Sequence, residues 1–218
     1  FNATKQRLQN KFGTQKFIVY FQSFTNTYAP FSTLKALYEK ALSFDNVIGL
    51  SIGTRTDCVT DEILDYLVDL SKDKEIWIEF GIQSFFDETL ININRGDTSS
   101  NMKYWINRSK EKGLNVCGHL IYGLPNETQE MMLETFRQTV ELKVDSIKFH
   151  PLYVVKNTLL TNEFKKGRFT PISEELYIDT VVKSIKILPE NISIQRITAG
   201  INDSTLLSPD WCRDKHTQ

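Results

Sequence analysis

Several runs that read as buried strands carry ionisable or amide side chains, and chemistry is available at those positions. Glu79 lies in the middle of Glu75–Gln83 (EIWIEFGIQ), His119 within Asn115–Tyr122 (NVCGHLIY), and Lys148 and His150 within Val144–His150 (VDSIKFH). Arg55 follows Val47–Gly53 (VIGLSIG), Gln22 ends Lys16–Gln22 (KFIVYFQ), and Gln83 ends its own run. A buried carboxylate is costly unless it is paired or bonded to a ligand. Glu79 is therefore expected either to bind something in an interior or to form a salt bridge with Arg55 or Lys148. In the second case Arg55, Lys148, His150 and Glu79 make an internal charge network. A lone histidine such as His119 among apolar neighbours is more often a satisfied core residue than a ligand.

The elements that position these residues alternate with little interruption. Residues 1–12, 31–43, 60–71, 85–92, 99–112 and 126–143 have helical patterns, and strands fall between them. Thr60 is expected to cap its helix, with Asp61 and Glu62 in the first turn. Asn126 with Gln129 resembles a capping box. Strands separated by helices imply βαβ units and a parallel sheet. The leading helix implies a first strand upstream. After Pro151 the pattern changes: 159–166 and 174–188 look helical, 192–197 strand-like, and the tail to Gln218 irregular. This divides the chain into a partial barrel over 1–153 and a C-terminal, α-rich extension over 154–218 that packs on it.

Strand periodicity separates two architectures. Successive side chains on a strand point to opposite faces. In Glu75–Gln83, Ile76, Ile78, Phe80 and Ile82 share one face, opposite Trp77, Glu79, Gly81 and Gln83. Gly49, Ser51, Gly53 and Arg55 lie opposite Ile48, Leu50 and Ile52. Ser146, Lys148 and His150 lie opposite Ile147 and Phe149. A doubly wound sheet buries both faces and reads apolar on both, whereas a barrel lined with ligand-binding groups shows this asymmetry. The polar groups also gather at strand C-terminal ends, where barrel active sites lie. The expected fold is α/β, a partial (β/α)6 TIM-like barrel of parallel strands.

Bulk properties exclude other classes. The net charge of −1 over 218 residues provides no basic field for nucleic acid or anionic lipid. No apolar run approaches the roughly 20 residues of a membrane span, and no signal peptide is evident. Cys58, Cys117 and Cys212 are three, an odd number, and far apart, which reads as a cytoplasmic protein with reduced thiols.

Certain segments taken in order resemble the radical S-adenosylmethionine (SAM) superfamily. They are Glu79-Phe80-Gly81-Ile82-Gln83-Ser84, then Ile93-Asn94-Arg95-Gly96, then His119-Leu120-Ile121-Tyr122-Gly123-Leu124-Pro125, with Arg95 twelve residues after Gln83. The pattern is similar to the Elongator-catalytic-subunit-like group and the oxygen-independent coproporphyrinogen oxidases. Tyr20–Ala29, Gly53–Val59, Lys148–Leu152 and Trp211-Cys212 look like the bacterial YhcC-type branch. The resemblance covers nearly the whole chain. Gly-x-Gln-Ser or Gly-Leu-Pro alone would be weak, but the ordered set at matching spacings is specific.

The resemblance implies a radical SAM enzyme that uses SAM and a [4Fe–4S] cluster to cleave SAM reductively to a 5′-deoxyadenosyl radical, which then acts on a substrate the sequence does not identify. A reductant such as flavodoxin or ferredoxin would be its partner. By resemblance Gln83 and Arg95 contact the aminoacyl end or ribose of SAM, a guanidinium being the matching donor for a carboxylate. His119 and Ser84 would serve the ribose, Gly123 would let backbone approach adenine, and Glu79 and Gln22 would face SAM from the interior. Arg55, Lys148 and His150 would face the substrate. The family's three-cysteine loop has no counterpart here, so the chain has no metal ligands of that kind, is expected to lack the first strand and cluster loop, and is expected to be inactive by itself. Two other readings stay open. One is a non-radical barrel enzyme with Lys148 as a Schiff-base lysine. The other is an RNA- or tRNA-binding module using Lys156, Lys165, Lys166 and Arg168, a cluster that also reads as a solvated helix face.

Overall fold

In β3 (Glu75–Gln83), Ile76, Ile78, Phe80 and Ile82 are each 1% exposed or less, and Glu79 points the other way. This two-faced strand belongs to a computed structural model that describes residues 2–201 and 204–213. Ahead of it come α1 (Asn2–Phe12), β1 (Phe17–Phe21), α2 (Phe31–Leu42), β2 (Val47–Thr54) and α3 (Asp61–Ser71). After it come α4 (Asp87–Asn92), α5 (Ser99–Glu111), β4 (Asn115–Tyr122), α6 (Gln129–Glu141) and β5 (Ser146–Pro151). The remainder is β6 (Val154–Val155), α7 (Leu159–Lys165), α8 (Glu174–Lys186), β7 (Ser193–Arg196) and β8 (Leu206–Ser208). The principal sheet has the strand order β1-β2-β3-β4-β5-β7.

The chain divides into two compact units, Phe1–Phe80 with Trp105–Val116, and Gly81–Tyr104 with Cys117–Gln218. In the first, β1 pairs with β2 and β2 with β3, all parallel. Gly49 is required there, because a Cβ at that position would lie 1.9 Å from the Glu75 carbonyl oxygen. Ile48, expected on the apolar face with Leu50 and Ile52, is instead 38% exposed while Val47 is buried. The reason is a bulge: Phe17 pairs with Val47 and Ile18 with Gly49, so Ile48 is the extra residue and the alternation resets after it. Asn26 ties the loop after β1 to the sheet, its Nδ2 donating to the Phe21 carbonyl at 3.0 Å and the Gly53 carbonyl at 2.8 Å. Thr60 caps α3 as expected, accepting from the Ile63 amide.

In the second unit β4 pairs with β5 and β5 with β7, again parallel. The helix after β4 starts later than the pattern suggests. Its cap is Thr128, whose hydroxyl accepts from the Met131 amide at 3.3 Å, not Asn126. Asn126 has φ 67° and belongs to the turn; a residue in the left-handed region has not yet entered the helix, so the expected capping box does not form. α6 packs on α8, with Gln129 Nε2 donating to Asp179 at 2.7 Å and Thr180 at 3.0 Å. The tail expected to be irregular contains β8, which pairs antiparallel with β6; its last residues, 214–218, lie outside the described ones. No helix among the described residues is long and apolar enough to cross a membrane.

Loss of a helix cap costs about 1 kcal/mol. Thr128→Ala should therefore lower the unfolding free energy by about that amount in urea titration. Asn126→Gly, which suits a left-handed backbone, should leave it within about 0.5 kcal/mol.

Candidate functional site

In the first unit the buried carboxylate of Glu79 is 2% exposed. It accepts a hydrogen bond from Tyr20 Oη at 2.8 Å on one oxygen and from Ser51 Oγ on the other. The donors come from β1 and β2, so the polar face of each strand supplies one group. Arg55 forks onto Asp57, with Nε to Oδ1 at 2.7 Å and Nη2 to Oδ2 at 2.5 Å. Gln22 is exposed just past the end of β1.

In the second unit the sheet polypeptide makes an unusual turn at Gln83. Its φ is 69°, and the Ser84 amide donates to the Ile82 carbonyl at 2.9 Å. That is a γ-turn with positive φ at its centre, the rarer and strained form. The Gln83 side-chain oxygen is buried without a hydrogen-bond partner. Strained non-glycine residues cluster at binding and active sites, and a buried oxygen without a partner calls for an explanation.

Gln83 lines a cavity of about 580 Å3, and so does Arg95. Left-handed Asn94 and Gly96 flank Arg95 at the end of α4. Its Nη2 donates to the Gly81 carbonyl at 2.6 Å, which fixes the guanidinium beside the end of β3. The rest of the wall comes from Ile121, from Leu124, Pro125 and Asn126, and from the C-terminal segment through Leu152, Leu159, Leu160 and Phe169. Nothing in the local pattern marks the last four as wall: Leu159 and Leu160 in a helical stretch, and Leu152 and Phe169 outside one, read equally well as core.

The other expected residues are distributed as follows. Ser84 is fully buried and does not line the cavity. Its hydroxyl donates to Glu127 Oε1 at 2.5 Å and accepts from the Phe86 amide at 3.1 Å. Gly123 has φ 88°, and a Cβ there would come within 2.7 Å of Ile172, so its missing side chain accommodates Ile172. His119 stacks on His150, ring centroids 5.6 Å apart, and Lys148 is 5% exposed. Two residues were not anticipated. Arg196 contacts His150, and Glu127 sits behind Ser84, its carboxyl raised above the usual range mainly by burial and partly brought back by hydrogen bonds from Ser84 and Thr89. A carboxylate in a presumed first helical turn carries no signal of burial.

The cavity can hold SAM by size and by the residues that line it: an unpartnered oxygen such as that of Gln83 suits a hydroxyl or ammonium, and the guanidinium of Arg95 suits a carboxylate. A [4Fe–4S] cluster does not fit this chain. Its ligands are thiolates from closely spaced cysteines. Cys58 lies in the first unit, while Cys117 and Cys212 are fully buried in the second, burial pushing the Cys212 thiol up to about 12.

Residues 4–139 match the family model of the Radical SAM superfamily, and residues 144–218 that of the Radical_SAM C-terminal domain. Protein YhcC of Escherichia coli (strain K12) is 39% identical over 205 residues, which cover 93% of this chain and 66% of that protein. The archaeal Methanocaldococcus infernus Elp3 with an N-terminus deletion superposes with a TM-score of 0.81 at 22% identity, covering 94% of this chain and 53% of that one. Coproporphyrinogen III oxidase (HemN) of Escherichia coli, a radical SAM enzyme, superposes with a TM-score of 0.59 at 21% identity, covering 78% and 39%. These structural likenesses bear out the partial TIM-like barrel of six parallel strands. The chain spans about two thirds of the length of the curated relatives it matches.

Because burial raises the Glu127 carboxyl, the folded state holds that proton more tightly than the unfolded chain. The group's contribution to stability is complete below the ordinary carboxyl range and is lost as pH rises through the raised value. Glu127→Gln, which still accepts from Ser84, should flatten stability on the alkaline side of that range. Thermal unfolding of both proteins across pH 4 to 8 reads this out, and parallel curves would refute the assignment.

Proposed function

Since the chain belongs to the radical SAM superfamily, we propose that the cavity at the end of β3 is its SAM site and that the full-length protein cleaves SAM reductively. The observation that carries this reading is Gln83, held in a strained turn with its buried side-chain oxygen unpartnered, lining a cavity that Arg95 shares. In this reading Arg95 binds the SAM carboxylate, and Gln83 accepts from the ammonium or a ribose hydroxyl. Leu159, Leu160 and Phe169 give one side of the cavity an apolar wall. His119 serves the SAM ribose in the same reading; in the first unit Tyr20 and Ser51 orient the Glu79 carboxylate.

In the full-length protein a [4Fe–4S] cluster would supply the electron for SAM cleavage. Its thiolates are assigned to the part of the protein outside residues 1–218, which leaves the chain by itself unable to carry out that step. In this reading the protein works in the cytoplasm, where thiols stay reduced, with a flavodoxin or ferredoxin as reductant. Residues 154–218 act as an extension that closes the site.

SAM binding to residues 1–218 should be measurable by calorimetry. Arg95→Ala and Gln83→Ala should each raise the Kd about tenfold or more, or about 1.4 kcal/mol. Unchanged affinity in both would remove the assigned contacts. In addition, a longer protein that includes the cysteine loop, reconstituted with iron and sulfide, should release 5′-deoxyadenosine from SAM with a reductant, and residues 1–218 treated identically should not. A longer protein that holds a cluster but never cleaves SAM would sink the proposal.

A further inference from the structure

A second cavity in the second unit, of about 510 Å3, shares α7 with the first. Helical spacing divides the residues of that helix between them. Leu160 and Glu163 line the cavity that holds Gln83 and Arg95, whereas Asn162 and Lys165 line the second one. Leu159 lines both. Lys156 and Asn157, in the turn from β6 to α7, and Leu207 of β8 form the facing wall.

The polar groups of this wall differ in what they have left to give a ligand. The hydroxyls of Thr158 and Thr161 are spent on the chain itself, donating to the Val155 carbonyl at 2.9 Å and 2.5 Å. Lys156, Asn157, Asn162 and Lys165 are exposed, and their side chains bond to no other described residue. Among the described residues no carboxylate lines the cavity. Glu163, the one acid of α7, belongs to the other cavity and is held there by Arg168 in a fork of two 2.6 Å hydrogen bonds. The basic residues of this segment therefore separate. Lys156 and Lys165 share one cavity, Arg168 is paired, and Lys166 lines neither cavity. A backbone-tracking groove for nucleic acid would need a continuous basic stripe, and this is a compact pair.

Two ammonium groups on one cavity repel, and an anion between them turns that repulsion into attraction. Each lysine offers three donors and no acceptor, and each asparagine amide adds two donors. A phosphate monoester, with close to two charges and three acceptor oxygens, uses such a set more fully than a carboxylate does. The cavity has the size of a small-molecule site and is larger than a bare anion needs. Its apolar part is Leu159, 83% exposed, which a ligand's carbon skeleton would cover. We infer that this cavity binds a small organic phosphate monoester, its phosphate between Lys156 and Lys165 and its skeleton against Leu159 and Leu207. The site stands or falls independently of SAM in the neighbouring cavity, with which it shares only Leu159.

The test titrates residues 1–218 with phenyl phosphate, with inorganic phosphate and with a short single-stranded RNA. The side-chain amide signals of Asn157 and Asn162 are followed by NMR, with and without SAM. A saturable shift with phenyl phosphate is expected, at a Kd about tenfold below that of inorganic phosphate. Lys156→Gln and Lys165→Gln should each raise that Kd about fivefold or more. Lys165→Arg should raise it less, and Lys166→Gln should leave it unchanged. Leu159→Ala should remove the advantage of phenyl phosphate over inorganic phosphate. Both lysines are exposed and bond to no described residue, so their variants should keep the parent's circular dichroism spectrum. Absence of a saturable shift, or equal affinity in both lysine variants and the parent, would overturn the inference. So would a loss in Lys166→Gln as large as theirs, which would mean a diffuse positive surface. Equal affinity for the two phosphates would remove the organic skeleton, tighter binding of RNA would make the ligand a nucleic acid, and competition with SAM would place the anion in the other cavity. If phenyl phosphate binds as expected and SAM does not bind at all, the SAM reading fails and the phosphate site stands.

Discussion

Every feature of the site depends on a strand that is apolar on one side and polar on the other. In β3 the apolar side is sealed by Ile76, Ile78, Phe80 and Ile82. Burying those side chains yields on the order of 1.5–3 kcal/mol each, and shifting the register by one residue would reverse every side chain. The register is therefore held firmly. With it held, Glu79 and Gln83 have no alternative but the polar face, even though one becomes a buried carboxylate and the other a strained residue.

That constraint explains how expensive groups are tolerated. Glu79 is accommodated because β1 and β2, fixed by the same apolar side, bring Tyr20 and Ser51 within hydrogen-bonding reach. Gln83 is accommodated because its turn sits at the end of a strand whose Ile78, Phe80 and Ile82 are fully buried, so the fold over-determines the strained backbone. Arg95 is held from the other direction, through the Gly81 carbonyl and the two left-handed residues around it. The cavity is thus bounded by groups whose positions follow from burial elsewhere, which is how a rigid scaffold preorganises a binding site.

The second unit applies the same economy with different parts. Gly123 yields its side-chain volume to Ile172, and Ser84 and Glu127 settle each other behind the cavity. Of the residues resemblance assigned to SAM, Gln83 and Arg95 meet in one cavity, whereas Ser84 turns inward. Similar motifs transfer a position more safely than they transfer an orientation, because orientation depends on which neighbour takes each hydrogen bond.

The sequence by itself determined the parallel α/β class, the two-faced strands and the Thr60 cap, which follow from periodicity or local pattern; the placing of Gln83 with Arg95 came from the family resemblance. Only tertiary structure decided the rest. The bulges at Ile48 and Gln195 are properties of two strands together, so neither strand's pattern contains them. The cap moved from Asn126 to Thr128 because the turn after β4 needs a left-handed residue before the helix begins. Leu159, Leu160 and Phe169 became cavity wall, and β8 found β6, through contacts across many residues of chain. Arg196 reached His150 for the same reason: a one-residue bulge selects the face of a strand, and alternation read along one segment carries no record of it.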